Sequence, residues 1–251
     1  IRAISSSEID LSRKEAIDDL ANYYSDKTTI VFLAAAKRYQ GDNQFTYEKN
    51  VNIAKTVINS LQKKPCSGLI YLSSAAVYGE RIEQIMYDEK AIIYPTSYYG
   101  AAKVAIEGLL TVARINNKMK WLTIIRPSTV YSESIQGTYC PGGFLTRAKS
   151  GGEINLWGDG SEKRDFCLLD DLVEAIVKIK NNKQDMIVNA TCGESIRFVD
   201  ITSKLSEKHS YRLTHKDRSY EKVDHSYDSA VFKKILGREP TKTQHWLEAN
   251  L

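Results

Sequence analysis

The sequence predicts an α/β protein, a parallel sheet flanked by helices with a smaller lobe towards the C-terminus. Short, unbroken apolar runs at Thr29-Ile-Val-Phe-Leu-Ala34, Gly68-Leu-Ile-Tyr-Leu72 and Leu122-Thr-Ile-Ile-Arg126-Pro127 have the length and content of strands buried in such a sheet. Helical patterns alternate with them, as strand–helix–strand crossovers require. A length of 251 residues suits one large domain, or a main domain carrying a smaller lobe.

Along the chain, Glu8-Ile9-Asp10-Leu11 reads as the end of a short strand. Ser12 and Glu15 have capping-box spacing ahead of a helical pattern through about Tyr24. The Thr29–Ala34 strand follows. Residues 47–61 carry a stripe of Val51, Ala54, Val57, Ile58 and Leu61, which predicts an amphipathic helix. The Gly68 strand ends in Ser73 and Ser74. A helix bearing Tyr99 follows, with Ala102, Val104, Ala105, Leu109 and Val112 giving more apolar surface than one sheet face requires. Beyond the Leu122 strand, a helix starts near Pro141 and ends near Gly151-Gly152. Asp170 and Asp171 stand where they would cap a helix from Leu172 to Lys180. Met186-Ile-Val-Asn189-Ala190 is a further strand and Phe198 to about Glu207 a helix. Gly237, with Pro240 beyond it, has the character of a helix C-cap.

Composition narrows the function. Apolar residues at 42% and charged ones at 26% describe an ordinary soluble globular chain. A net charge of +4 gives little reason to expect nucleic acid or an anionic membrane, while a mildly basic cleft would suit a phosphorylated ligand. No apolar run approaches the ~20 residues of a membrane span and no signal peptide is evident, so a cytoplasmic protein is expected. Cys66, Cys140, Cys167 and Cys192 form no C-x-x-C pair, and the four histidines lack ligand spacing. Neither a metal site nor a disulfide framework is therefore expected.

Chemistry concentrates between Ser74 and Lys103. Tyr99 and Lys103 are four residues apart, which on a helix places phenol and ammonium on one face. A phenol ionises near pH ~10, and a fixed cation nearby favours its phenolate. The pair can thus serve as acid or base closer to neutrality. Ser74, at a strand mouth, can hold a substrate oxygen against that phenol. Together the three read as a hydride-transfer site that needs a nicotinamide partner. A dinucleotide fold also needs a glycine-rich turn at the pyrophosphate, yet no G-x-G-x-x-G spacing occurs anywhere in the chain. The expectation is that the sequence begins downstream of that turn, with on the order of 30 to 60 residues preceding it in a complete protein.

Ser74 at a strand end, the Tyr78-Gly79 turn, Tyr99-x-x-x-Lys103 and the block Gly158-Asp159-Gly160-Ser-Glu-Lys-Arg164-Asp165-Phe166 resemble the extended short-chain dehydrogenase/reductase family, the NAD-dependent sugar epimerases and dehydratases. The resemblance implies a Rossmann-like cofactor domain over 1–131 with 166–190 returning to it. The substrate-binding lobe would then be 132–165 and 191–251. It makes Ser74 the substrate-polarising hydroxyl, Tyr99 the acid/base and Lys103 the nicotinamide-ribose ligand. Asp10 and Leu11 would line the adenine pocket. Leu33, Ala34 and Ala35 would pack on the cofactor, NAD or NADP, with Lys37 and Asn50 on the nicotinamide side. Thr129 stands where relatives carry an asparagine that helps bind the nucleotide-sugar diphosphate, and Arg164 where an arginine meets the phosphates. The family's dimer would use helices near 47–61 and 96–112. The tail from Asp228 resembles the family's closing helix. Ala75-Ala76 follows Ser74 where 4,6-dehydratases have an acidic pair, which favours an epimerase or a 4-ketoreductase over a dehydratase, and of these the epimerase is the expectation. A non-catalytic binding or regulatory protein on the same fold is the competing class.

Overall fold

In the computed structural model, residues 1–13, 15–36, 38, 41–80, 86–133, 140–218 and 221–251 are described. Elements follow in the order α1 (Ala16–Asn22), β1 (Thr29–Phe32), α2 (Gln44–Lys63), β2 (Gly68–Leu72), β3 (Met86–Tyr87), α3 (Tyr98–Ile115), β4 (Leu122–Pro127) and β5 (Thr129–Tyr131). Then come α4 (Gly142–Lys149), β6 (Glu153–Trp157), β7 (Lys163–Arg164), β8 (Phe166–Leu168), α5 (Leu169–Asn182), β9 (Met186–Ala190) and β10 (Ile196–Arg197). The chain closes with α6 (Phe198–Ser206), β11 (Arg212–Lys216), β12 (Ser226–Tyr227), α7 (Ala230–Leu236) and α8 (Thr243–Asn250).

The main sheet has the order β1-β2-β4-β9, and β1–β2 and β2–β4 pair in parallel. The alternation of strands and helices thus yields the expected α/β architecture. All six residues of β4 are buried, as its continuous apolar run requires.

Contacts divide the chain into two compact units. One comprises Ile1–Gly79, Ile92–Arg126 and Ile179–Val188, the other Glu80–Ala91, Pro127–Lys178 and Asn189–Leu251. In the first, α2 and α3 cover the sheet, and Ala54, Val57 and Leu61 pack with Ile106 and Leu110 over Leu69, Tyr71 and Ile124. The second has its own core, in which Tyr131, Phe144, Ile154, Phe166, Ile201 and Trp246 meet.

Several local expectations are corrected. Glu8–Leu11 forms no strand, because the amides of Glu8 and Ile9 fold back onto the Ser5 carbonyl and the Asp10 carboxylate takes both the amide and the hydroxyl of Ser12. That occupies the Ser12 hydroxyl, so the capping box does not form. Helix α1 starts at Ala16 behind Glu15 with no side-chain cap. β1 stops at Phe32, and Val31 and Leu33 are exposed, since β1 is an end strand of the described sheet. Asp171 does not cap its own helix. Its buried carboxylate accepts from the Thr241 amide at 2.6 Å, the Thr241 hydroxyl at 3.1 Å and Arg238 at 2.7 Å, which ties α5 to the segment before α8.

Candidate active site

The site is assembled where the end of β2 meets the start of α3. Ser74 leaves β2 in an extended conformation, and its hydroxyl accepts from the Ala76 amide at 3.1 Å. This caps a 3₁₀ turn over Ala75–Tyr78 and fixes the serine side chain at the strand mouth. Ser97 caps α3 by accepting from the Gly100 amide at 3.0 Å. Asp42 accepts from the Tyr99 amide at 3.0 Å, so a carboxylate sits at the positive end of the helix. Gly100 permits the approach of helix and turn, because a Cβ there would lie 2.5 Å from the Ala76 carbonyl oxygen.

One turn along α3, Lys103 is 3% exposed. Its ammonium donates to the Leu72 carbonyl at 2.7 Å, lies 5.5 Å from the centre of the Tyr99 ring and 4.9 Å from that of Tyr71. Burial pushes the Lys103 ammonium down to about 8 against the opposing attraction of Glu107. An ammonium has three donors, and hydrogen bonds among the described residues use one. The Tyr71 hydroxyl is buried with no hydrogen-bond partner among those residues. Buried donors without partners are rare in folded proteins. These observations fit the ribose-and-nicotinamide end of a dinucleotide, where diol oxygens would meet Lys103. The pyrophosphate end has no glycine-rich turn in this sequence.

Asn50 is buried on α2 and binds the backbone of Ala36 in both directions. Its Oδ1 accepts from the Ala36 amide at 2.7 Å and its Nδ2 donates to the carbonyl at 3.1 Å. It therefore fixes the backbone immediately after Leu33, Ala34 and Ala35. Lys37 lies outside the described residues. Asp10 is exposed, and its hydrogen bonds with Ser12 hold its carboxyl below the usual range; Leu11 is half-buried beside the core of the first unit.

Thr129 and Arg164 belong to the second unit. Thr129 opens β5, opposite Phe166 of β8. The Arg164 guanidinium is paired with Glu162, donates to the Lys163 and Val223 carbonyls and lies 6.0 Å from the Phe198 ring centre. Glu162 also holds Arg218 at 2.8 Å.

Sequence reasoning missed the network beneath the site. Glu107, one turn beyond Lys103, accepts from Ser73 Oγ at 2.5 Å and from Arg126 at 3.0 and 2.6 Å. Its spacing of four from Lys103 was the one available signal. Asp42 gave none, because its target lies 57 residues away.

Among the described residues no group of three or more His, Cys, Asp or Glu side chains is placed to hold a metal ion, and no helix is long and apolar enough to cross a membrane.

The model of the NAD dependent epimerase/dehydratase family matches residues 2–191. The chain belongs to that family, a family of enzymes. Among family relatives, the N-acetyl-alpha-D-glucosaminyl-diphospho-ditrans,octacis-undecaprenol 4-epimerase of Escherichia coli O157:H7 is 29% identical over 178 residues, covering 68% of this chain and 50% of the relative. The chain spans about half the length of the first curated relatives it matches. Two solved structures share the family's fold. One is a UDP-glucose 4-epimerase of Thermotoga maritima with UDP-glucose, which aligns with a TM-score of 0.81 at 22% identity over 93% of this chain and 78% of that one. The other is a UDP-glucose 4-epimerase of Thermus thermophilus with NAD, with a TM-score of 0.81 at 20% identity over 96% of this chain and 81% of that one. At those identities the two likenesses establish the Rossmann-like α/β fold.

Proposed function

We propose that the complete protein is an NAD-dependent 4-epimerase of a nucleotide-activated sugar, with Tyr99 as its acid/base. The observation that carries the reading is the half-buried Tyr99 ring above the buried ammonium of Lys103, 5.5 Å from its centre, beside the strand end that carries Ser74. Bound NAD supplies a reversible hydride acceptor. Tyr99, as phenolate, takes the proton of the sugar hydroxyl, and Ser74 donates a hydrogen bond to the oxygen as it becomes a carbonyl. The Lys103 ammonium stabilises the phenolate and donates to the nicotinamide ribose. Such general acid/base assistance contributes about 10² to 10⁴ in rate. Asn50 keeps the segment at Leu33, Ala34 and Ala35 against the cofactor, and Asp10 and Leu11 serve its adenine end. Thr129 and Arg164 are the substrate-phosphate residues, a role in which the phosphate competes with Glu162 for the Arg164 fork.

Support for the sugar class comes from family membership and from the 4-epimerase names of the relatives. Ala75 and Ala76 offer no carboxylate for water elimination, which disfavours a dehydratase. The test is the complete protein with a panel of UDP-sugars and NAD, and in a parallel assay with a 4-keto sugar nucleotide and NADH. Epimer formation without net NADH is expected, and Tyr99→Phe should lower turnover at least about 10²-fold while dinucleotide binding persists. Net NADH consumption with a 4-keto sugar would identify a reductase instead, and binding of the sugar nucleotide without turnover a non-catalytic protein.

A further inference from the structure

We propose that Glu107 and Arg126 are positioning residues for the reacting centre, a buried pair that clamps the Ser74 turn to the helix carrying Tyr99 and Lys103. The proposal rests on the reading of those three residues given above. Side chains of the pair are 7% and 2% exposed and meet at 2.6 Å. Glu107 reaches back to the Ser73 hydroxyl at 2.5 Å. Arg126 donates from Nη1 to the Tyr78 hydroxyl at 3.0 Å and lies 5.2 Å from that ring's centre. Ser73 precedes Ser74, and Tyr78 ends the turn that Ser74 caps. The pair thus grips the Ser74 segment at both ends and, through Glu107, holds it to α3.

Stability alone does not account for such a device. Removing two charges from water costs about as much as their attraction returns, and well-packed apolar replacements are often neutral or better. What apolar side chains cannot reproduce is the directed grip on two hydroxyls, or the charge balance. Lys103 faces the Leu72 carbonyl and the Tyr71 ring from β2, and Tyr99 and Glu107 from its own helix. Arg126 of β4 acts on it through Glu107. Two buried cations against one carboxylate leave a surplus positive charge beneath Tyr99, which favours its phenolate.

The test reads the Lys103 titration by side-chain NMR of isotopically labelled lysine in the complete protein. Glu107→Gln removes the counter-charge and leaves Arg126, so the Lys103 midpoint should fall by about one pH unit or more. If Glu107 served packing only, loosening would admit water and raise the midpoint towards the ordinary ~10.4; an unchanged or raised midpoint overturns the proposal. Ser73→Ala spares the ion pair and the fold, and tests the grip. Its kcat should fall about tenfold with KM for the sugar nucleotide changed by less than about twofold. An unchanged kcat overturns the positioning role even if Glu107→Gln does not fold. Failure of the catalytic reading shows separately, as turnover retained by Tyr99→Phe, and the lysine titration is read whether or not turnover occurs.

Discussion

Lys103 carries the sharpest consequence at the scale of single residues. Its ammonium is held at about 8 by burial, whereas in an unfolded chain it would titrate near ~10.4. Below about pH 8 both states are protonated and the folded state bears the whole cost of the buried charge. As pH rises through that value the folded state releases the proton while the unfolded chain keeps it, so this residue's contribution to stability improves with pH. Relative to wild type, Lys103→Met should therefore be most favoured at pH 7 and below, where protonation of the buried amine costs the wild type on the order of 3 kcal/mol. The gap between the two in denaturant unfolding should narrow from about pH 8 to about pH 10. Turnover of the variant should be lost. An advantage independent of pH would show that the ammonium is not desolvated.

Among elements, the contact between α3 and the Ser74 turn depends on Gly100. Alanine there would gain about 1 kcal/mol of helix propensity but would place a Cβ 2.5 Å from the Ala76 carbonyl, and overpacking typically costs about 1–3 kcal/mol. The clash should prevail. Gly100→Ala is expected to lower kcat at least about tenfold with helix content retained in circular dichroism. Asn50 is the equivalent link between α2 and the segment after β1. Asn50→Ala strands the buried amide and carbonyl of Ala36, which should cost about 2 kcal/mol or more in urea unfolding. A loss well below about 1 kcal/mol would mean that water replaces the side chain.

Across the whole molecule, the two compact units have separate cores, and one surface of the first remains apolar. The expected α2 stripe turns inward, since Ala54, Val57 and Leu61 are buried. On α3 the surplus instead faces solvent, with Val112 at 55% and Ile115 at 71% exposure beside Leu109. A homodimer through this face is proposed. Replacing Val112 and Ile115 together with Glu would bury two like charges per subunit in such an interface. Sedimentation should show a dimer becoming a monomer, with the thermal unfolding midpoint of the monomer little changed. A wild-type protein that is monomeric at micromolar concentration would reject the face as an interface.

The sequence by itself determined what depends on residues close along the chain. Unbroken apolar runs located β2, β4 and β9, and Gly237 marked the end of α7, where it adopts a left-handed φ of 68°. The four-residue spacing placed Tyr99 and Lys103 on one helix face. Tertiary structure decided which polar groups those elements bring together. Asp171 holds Thr241, Arg164 donates to the Val223 carbonyl, Asn50 binds Ala36, and Glu107 joins Ser73 to Arg126. Short elements such as α8 and the two-residue strands were also invisible, because they are held by packing and lateral pairing rather than by a long periodic pattern. The physical reason is common to all of these. Burial makes each polar group find a partner, but which partner lies within 3 Å depends on strand register and helix packing, quantities that no local pattern encodes.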